Sequence, residues 1–201
     1  MPAVETLVPF PEDRDKIPPV TQVRSTLLGS SLLALRERGL ESRYLAHLPE
    51  AHKDTLLYMH AGTWVGVDVA EAHYGACDAM MLSQPEILAV GNVVGKLLTK
   101  ASVALVTRLA TEGGATPWSL LQNAQRYWGR SYVGSAVGVF KLGPKEGRLE
   151  VVANQLASFA YWRVALRGIL TEMCGAFCRT VYVREESSRA KDAVTYRMSW
   201  V

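Results

Sequence analysis

The chain has 201 residues, a length suited to one domain or to one domain with an arm. Its 49% hydrophobic content is ample for a core, and 20% charged residues is ordinary for a soluble globular protein. The net charge of +3 is scattered, with no run of five or six like charges, which argues against a nucleic-acid or anionic-membrane footprint.

Five of the nine prolines fall within the first nineteen residues, so residues 1–20 read as an extended or disordered arm, with residues 21–201 as a single domain. The arm lacks the apolar and basic regions of a secretory signal. No apolar run approaches the ~18–20 residues of a membrane span. Three cysteines, an odd number in a cysteine-poor chain, favour a reducing compartment over a disulfide framework. A cytoplasmic location is the expectation.

After the arm, Ser25 or Thr26 is placed to cap a helix carrying Leu27, Leu28, Leu32, Leu33 and Leu35 and ending at Gly39. Short helices are expected over Glu41–Leu48 and Pro49–Leu57, and a longer one over Val67–Leu82. Ser83 and Glu86 have the spacing of a capping box, opening a helix through Leu98. A further apolar stretch reaches Leu109 before Gly113-Gly114, and Thr116-Pro117 opens a helix through Trp128.

The period then changes. Val137 to Leu142 and Leu149 to Ala153 suit a hairpin around the turn residues 143–147. Helical spacing resumes from Phe159 to Phe177. Val181 and Val183, then Val194, Tyr196, Met198 and Trp200, alternate as a second hairpin. The expected class is therefore α+β: a helical N-terminal half packed on one face of an antiparallel sheet, itself formed by two C-terminal hairpins separated by a long helix.

The terminal hairpin TVYVREESSRAKDAVTYRMSW (Thr180 to Trp200) resembles that of an uncharacterised paralogous family of myxobacteria. Further parts of the likeness are the leucine-rich first helix, Trp64 before the Val67 helix, and TPWSLLQNAQRYWGRSYVGS (Thr116 to Ser135). That family is similar in turn to the 4-vinyl reductase, haem–nitric-oxide-binding and TRAPP-subunit-like ligand-binding domains. The resemblance implies a cavity between helices and sheet, or a homodimer face, that takes haem, lipid-like chains, aromatic effectors or protein partners. Relatives often carry two cysteines in the last hairpin. Ser188 and Val194 stand there instead, so a hairpin metal is not expected.

Several constellations bear on chemistry. His73 and Cys77 stand four apart on one helix and can face a common ligand, yet no further donors have a compelling spacing to them. Cys174 and Cys178 lack the CxxC spacing and read as core thiols. Gly91 to Lys96 is one residue short of a phosphate-binding loop and lies inside a helix; its two glycines suit a close helix approach. No G-x-S-x-G, H-E-x-x-H or strand–glycine–helix motif is present, so nothing argues for an enzyme. The aromatics are numerous, and Trp64, His73, Tyr74, Trp128, Phe159 and Trp162 are the candidate ligand-binding residues. The resulting expectation is a non-enzymatic sensory domain holding a small apolar molecule or acyl chain, with neither metal nor cofactor. The alternative is a ligand-free interaction or scaffold module of the TRAPP-subunit kind, contacting a small GTPase or signalling partner.

Overall fold

The computed structural model describes residues 4–101, 116–186 and 190–201. The expected stretch to Leu109, its glycine stop and Ser188 lie outside these residues.

Helix α1 (Ser25–Glu37) buries Leu27, Leu28, Ser31, Ala34 and Leu35, the i, i+3, i+4 stripe of an amphipathic helix. It stops at Gly39, whose φ of +70° closes the helix at no Cβ cost. Ser25 does not cap it. Its hydroxyl donates to the His60 carbonyl and accepts the Thr63 amide, tying the helix start to the chain entering the next strand. Helices α2 (Glu41–His47) and α3 (Glu50–Tyr58) follow, and α4 (Val67–Ala79) ends three residues short of the expected Leu82. Helix α5 (Gln84–Ala101) starts at the expected box, with Glu86 accepting both the amide and the hydroxyl of Ser83. Helices α6 (Pro117–Leu121) and α7 (Ala124–Ser131) lead to the sheet, and α8 (Ala160–Gly175) separates its two hairpins.

The main sheet is five-stranded and antiparallel, in the order β1-β5-β6-β8-β7. Its hairpins are β5 (Ala136–Gly143) with β6 (Glu146–Val152), and β7 (Val181–Glu186) with β8 (Val194–Trp200). The fifth strand, β1 (Glu5–Val8), comes from the proline-rich arm and pairs with β5. A three-stranded sheet, β3-β2-β4, joins β2 (Gln22–Arg24), β3 (Trp64–Gly66) and β4 (Tyr132–Val133). These strands have two or three residues each, too short for a period-two signal to show in the sequence.

On the inner face of the main sheet, Val137, Val139, Leu149, Val151, Val194, Tyr196, Met198 and Trp200 are buried. They share one hydrophobic core with the helices, as an amphipathic sheet must. The arm crosses the outer face. Phe10 lies on Gly138, where a Cβ would meet its ring at 2.8 Å, Arg14 pairs with Glu150, and Ile17 packs on Ala136 and Val152.

Helices α5 and α8 pack backbone against backbone. Gly91 sits on the backbone of Ala165, Gly95 faces Ile169, and Gly168 faces the Leu88 carbonyl at 2.6 Å from a Cβ position. This close approach, rather than phosphate binding, is the role of the two glycines in α5. With its amide oriented to satisfy both carbonyls, Asn92 donates to Gly168 and Leu88 at 3.0 and 3.3 Å.

Candidate functional site

A chain of polar side chains lies buried where α1 and α4 meet α8. His73 on α4 places Nδ1 2.9 Å from the Tyr44 hydroxyl and Nε2 3.1 Å from Ser31 Oγ. Ser31 Oγ in turn lies 3.0 Å from the Tyr161 hydroxyl. The Cys77 thiol sits 3.8 Å from His73 Nε2 and also meets the Tyr161 hydroxyl. Every member is buried. Burial holds the imidazole neutral, its pKa brought down to about 3, and pushes the Tyr44 hydroxyl and the Cys77 thiol upward.

The order Ser31–His73–Tyr44 has the connectivity of a nucleophile, a base and an orienting group. It does not have the chemistry. Burial disfavours the imidazolium that general-base attack by Ser31 would form, which weakens His73 as a base. The third member is a neutral phenol, which stabilises an imidazolium far less than a carboxylate does. The network is a polar core in which each side-chain nitrogen and oxygen has a hydrogen-bonding partner.

Beside it lies a small void of about 20 Å³, lined by Leu27 and Ser31 of α1, Tyr74, Val90, Tyr132 and Tyr161, and by Trp162 and its α8 neighbours. That volume suits a molecule about the size of one water. Its walls are mostly apolar, and four of the lining residues, Ser31, Tyr74, Tyr132 and Tyr161, carry hydroxyls.

The candidate residues fall into three groups. His73, Tyr74 and Phe159 form one cluster with Tyr161: ring centroids are 5.0 Å apart for His73–Tyr74, 6.4 Å for Tyr74–Phe159 and 6.3 Å for Tyr74–Tyr161. Trp128 and Trp162 form a second, joined by Tyr132. Trp128 stacks on Tyr132 at 4.4 Å and meets Trp162 edge-on at 6.3 Å. The indole N–H of Trp162 donates to the Tyr132 hydroxyl at 3.2 Å, and that of Trp128 to Ser135 Oγ at 3.2 Å. Both clusters reach the void, through Tyr74 and Trp162. Trp64 joins neither. It lies half-buried on β3 beneath the Arg24 guanidinium, 4.1 Å from its ring centre.

Sequence reasoning missed Ser31, Tyr44 and Tyr132. Ser31 carried a usable signal, because a serine inside the Leu27–Leu28–Leu35 stripe is a buried hydroxyl in need of a partner. A wider groove, lined by Asp54, Tyr58, Met59, His60 and Val65 among others, opens to solvent on the α3 side and shares no residue with the void.

A haem does not fit the residues around the void. Haem iron takes an axial His, Cys, Met or Tyr facing an open pocket. Both ring nitrogens of His73 are already bonded within the core; His47 is exposed, and neither His52, half-buried on α3, nor His60, in the groove on the α3 side, lines the void. Residues 102–115 contain no His, Cys, Met or Tyr. The void beside the network is far smaller than a porphyrin. Among the described residues, no three His, Cys, Asp or Glu side chains stand close enough to hold a metal ion. No described helix is long and apolar enough to cross a membrane.

No family model and no curated protein matches the chain. Solved structures do. An Fe(II) unliganded H-NOX protein from K. algicida superposes with a TM-score of 0.62 at 8% identity, over 89% of this chain and 96% of its own. An H-NOX protein examined for haem distortion gives 0.60 at 11% identity, over 88% and 94%. An oxygen-binding H-NOX domain related to soluble guanylate cyclases gives 0.57 at 11%, again over 88% and 94%. At these identities the likeness is one of architecture: the chain has the fold of the H-NOX domains.

Proposed function

We propose that this protein is a non-enzymatic sensory domain that takes a small apolar molecule, without haem, at the seam between α1–α4 and α5–α8. The observation that carries the reading is the void at that seam: mostly apolar walls, Ser31 and three tyrosines among the lining residues, and two aromatic clusters that reach it. Placed in a fold whose solved examples include an oxygen-binding domain, such a void is the natural place for a ligand. Its size narrows the occupant. A molecule little larger than water enters as the seam stands, whereas an acyl chain requires the walls to part.

The α5–α8 wall cannot yield, because its glycines already bring backbone against backbone. The movable wall is α1 with α4, held to the start of α8 by Asp78, whose carboxylate accepts the amides of Ala160 and Tyr161 at 3.0 and 2.6 Å. An occupant that favours the parted seam shifts the population towards it, and α8 carries the change to β7, against which it packs. Three free thiols accord with work in the reducing cytoplasm.

Native mass spectrometry and absorption spectra of the purified protein test this. The expected result is folded protein without porphyrin, retaining a small adduct that Trp162→Ala releases while Trp64→Ala does not. A stoichiometric Soret band near 400 nm would refute the haem-free reading. Protein that carries no adduct and binds none favours the ligand-free interaction module.

A further inference from the structure

The two edges of the main sheet are built differently. Edge strand β1 has four residues, a register shift between Thr6 and Val8, and prolines at 9 and 11 immediately after it. Short length, a bulge and proline are the usual protections against edge-to-edge pairing. Edge strand β7 has six residues in unbroken register with β8, no proline, and a 56% exposed Tyr182 beside the exposed C-terminal Val201.

The hydrogen-bond phase shows what β7 offers. Thr180 and Val201 exchange both amide–carbonyl bonds, so Tyr182–Ser199 and Arg184–Arg197 are the bonded pairs that follow in the alternation. The amides and carbonyls of Val181, Val183 and Glu185 therefore point away from β8, and no strand among the described residues receives them.

We propose that β7 pairs antiparallel with β7 of a second copy of this chain, about a two-fold axis at Tyr182, to give a continuous ten-stranded sheet. Two copies can match open groups to open groups only if odd residues face odd residues. An axis at Arg184 sets arginine against arginine, and one at Val183 sets Val181 against Glu185. The axis at Tyr182 sets Tyr182 on its own copy, Val181 on Val183 twice over, and Glu185, whose carboxylate pairs with Arg163 of its own chain, opposite Arg179 of the other. It is the register in which apolar meets apolar and opposite charges meet, the pattern that stabilises cross-strand pairs. The inference is independent of what the seam binds.

Sedimentation velocity of the full chain across micromolar concentrations tests it. The wild type is expected to be a dimer, and Val183→Pro a monomer with unchanged circular dichroism, since the lost amide faces outward. Tyr182→Cys provides a second readout. The two copies of residue 182 form a non-bonded pair, whose Cα spacing of about 4.5 Å is within disulfide reach. Mild oxidation should then cross-link Tyr182→Cys but neither the wild type nor Arg184→Cys. A monomeric wild type, or a Val183→Pro variant that dimerises as the wild type does, overturns the proposal. If Val183→Pro fails to fold, the cross-link decides: its absence in Tyr182→Cys overturns it equally.

Discussion

His73 sets the electrostatic character of the buried network. In the folded protein it stays neutral down to about pH 3, because burial disfavours the charged ring. An unfolded imidazole protonates near pH 6.5. As pH falls, the unfolded chain therefore takes up a proton that the folded chain refuses. The stabilisation from a neutral His73 is fully present above about pH 6.5 and is lost progressively towards pH 3, at about 1.4 kcal/mol per pH unit between about pH 6 and 4. Urea midpoints measured across that window should show His73→Gln losing stability less steeply than the wild type, by about one proton. Parallel curves would mean that His73 is not the titrating group. The sequence made His73 and Cys77 visible as a pair through their helical spacing. It hid their partners Tyr44, Ser31 and Tyr161, which come from three other helices or helix faces 29, 42 and 130 positions apart in the pairs they form.

Two contacts between elements fix how the helical layer meets α8. The first is the Asp78 carboxylate, which satisfies two of the amides that the start of α8 leaves without helical partners. Asp78→Ala should cost about 1–3 kcal/mol in denaturant unfolding, the range of a charged cap on buried structure. Asp78→Asn should recover part of that loss, since its amide oxygen still accepts. The second is the glycine contact of α5 with α8. Gly91→Ala forces a methyl into the Ala165 backbone and should destabilise by at least about 1–3 kcal/mol, whereas Gly129→Ala, with open space around it, should not. Equal midpoints for those two variants would contradict the packing. Of these contacts, the glycine pair was legible as a close helix approach, because two glycines four apart share one helix face. The Asp78 cap was not legible, since it joins residues 82 and 83 positions apart. At the same scale, the two hairpins and α8 were readable from their periods. The arm's strand β1 was not, because prolines around four residues mask so short an alternation.

At the scale of the whole molecule, a helical half closes over one face of an antiparallel sheet, and the order of periods along the chain was enough to anticipate this. The site was only partly legible. Aromatic residues pointed to an interior cluster, yet Trp64, as conspicuous in the sequence as Trp162, stacks under Arg24 near the surface. Side-chain type alone does not say on which side of a three-residue strand a ring will lie. The architecture is that of the H-NOX domains, and among the described residues the side chains between α1, α4 and α8 bond to one another beside a void of about 20 Å³. The account stands on that void being a place where an apolar molecule can sit. A crystal of the protein pressurised with xenon, which enters dry apolar cavities, tests this most directly. The account predicts one ordered xenon atom among Leu27, Tyr74, Val90 and Trp162, lost when Val90→Phe fills the space. Xenon found only elsewhere, or unaffected by Val90→Phe, would contradict it.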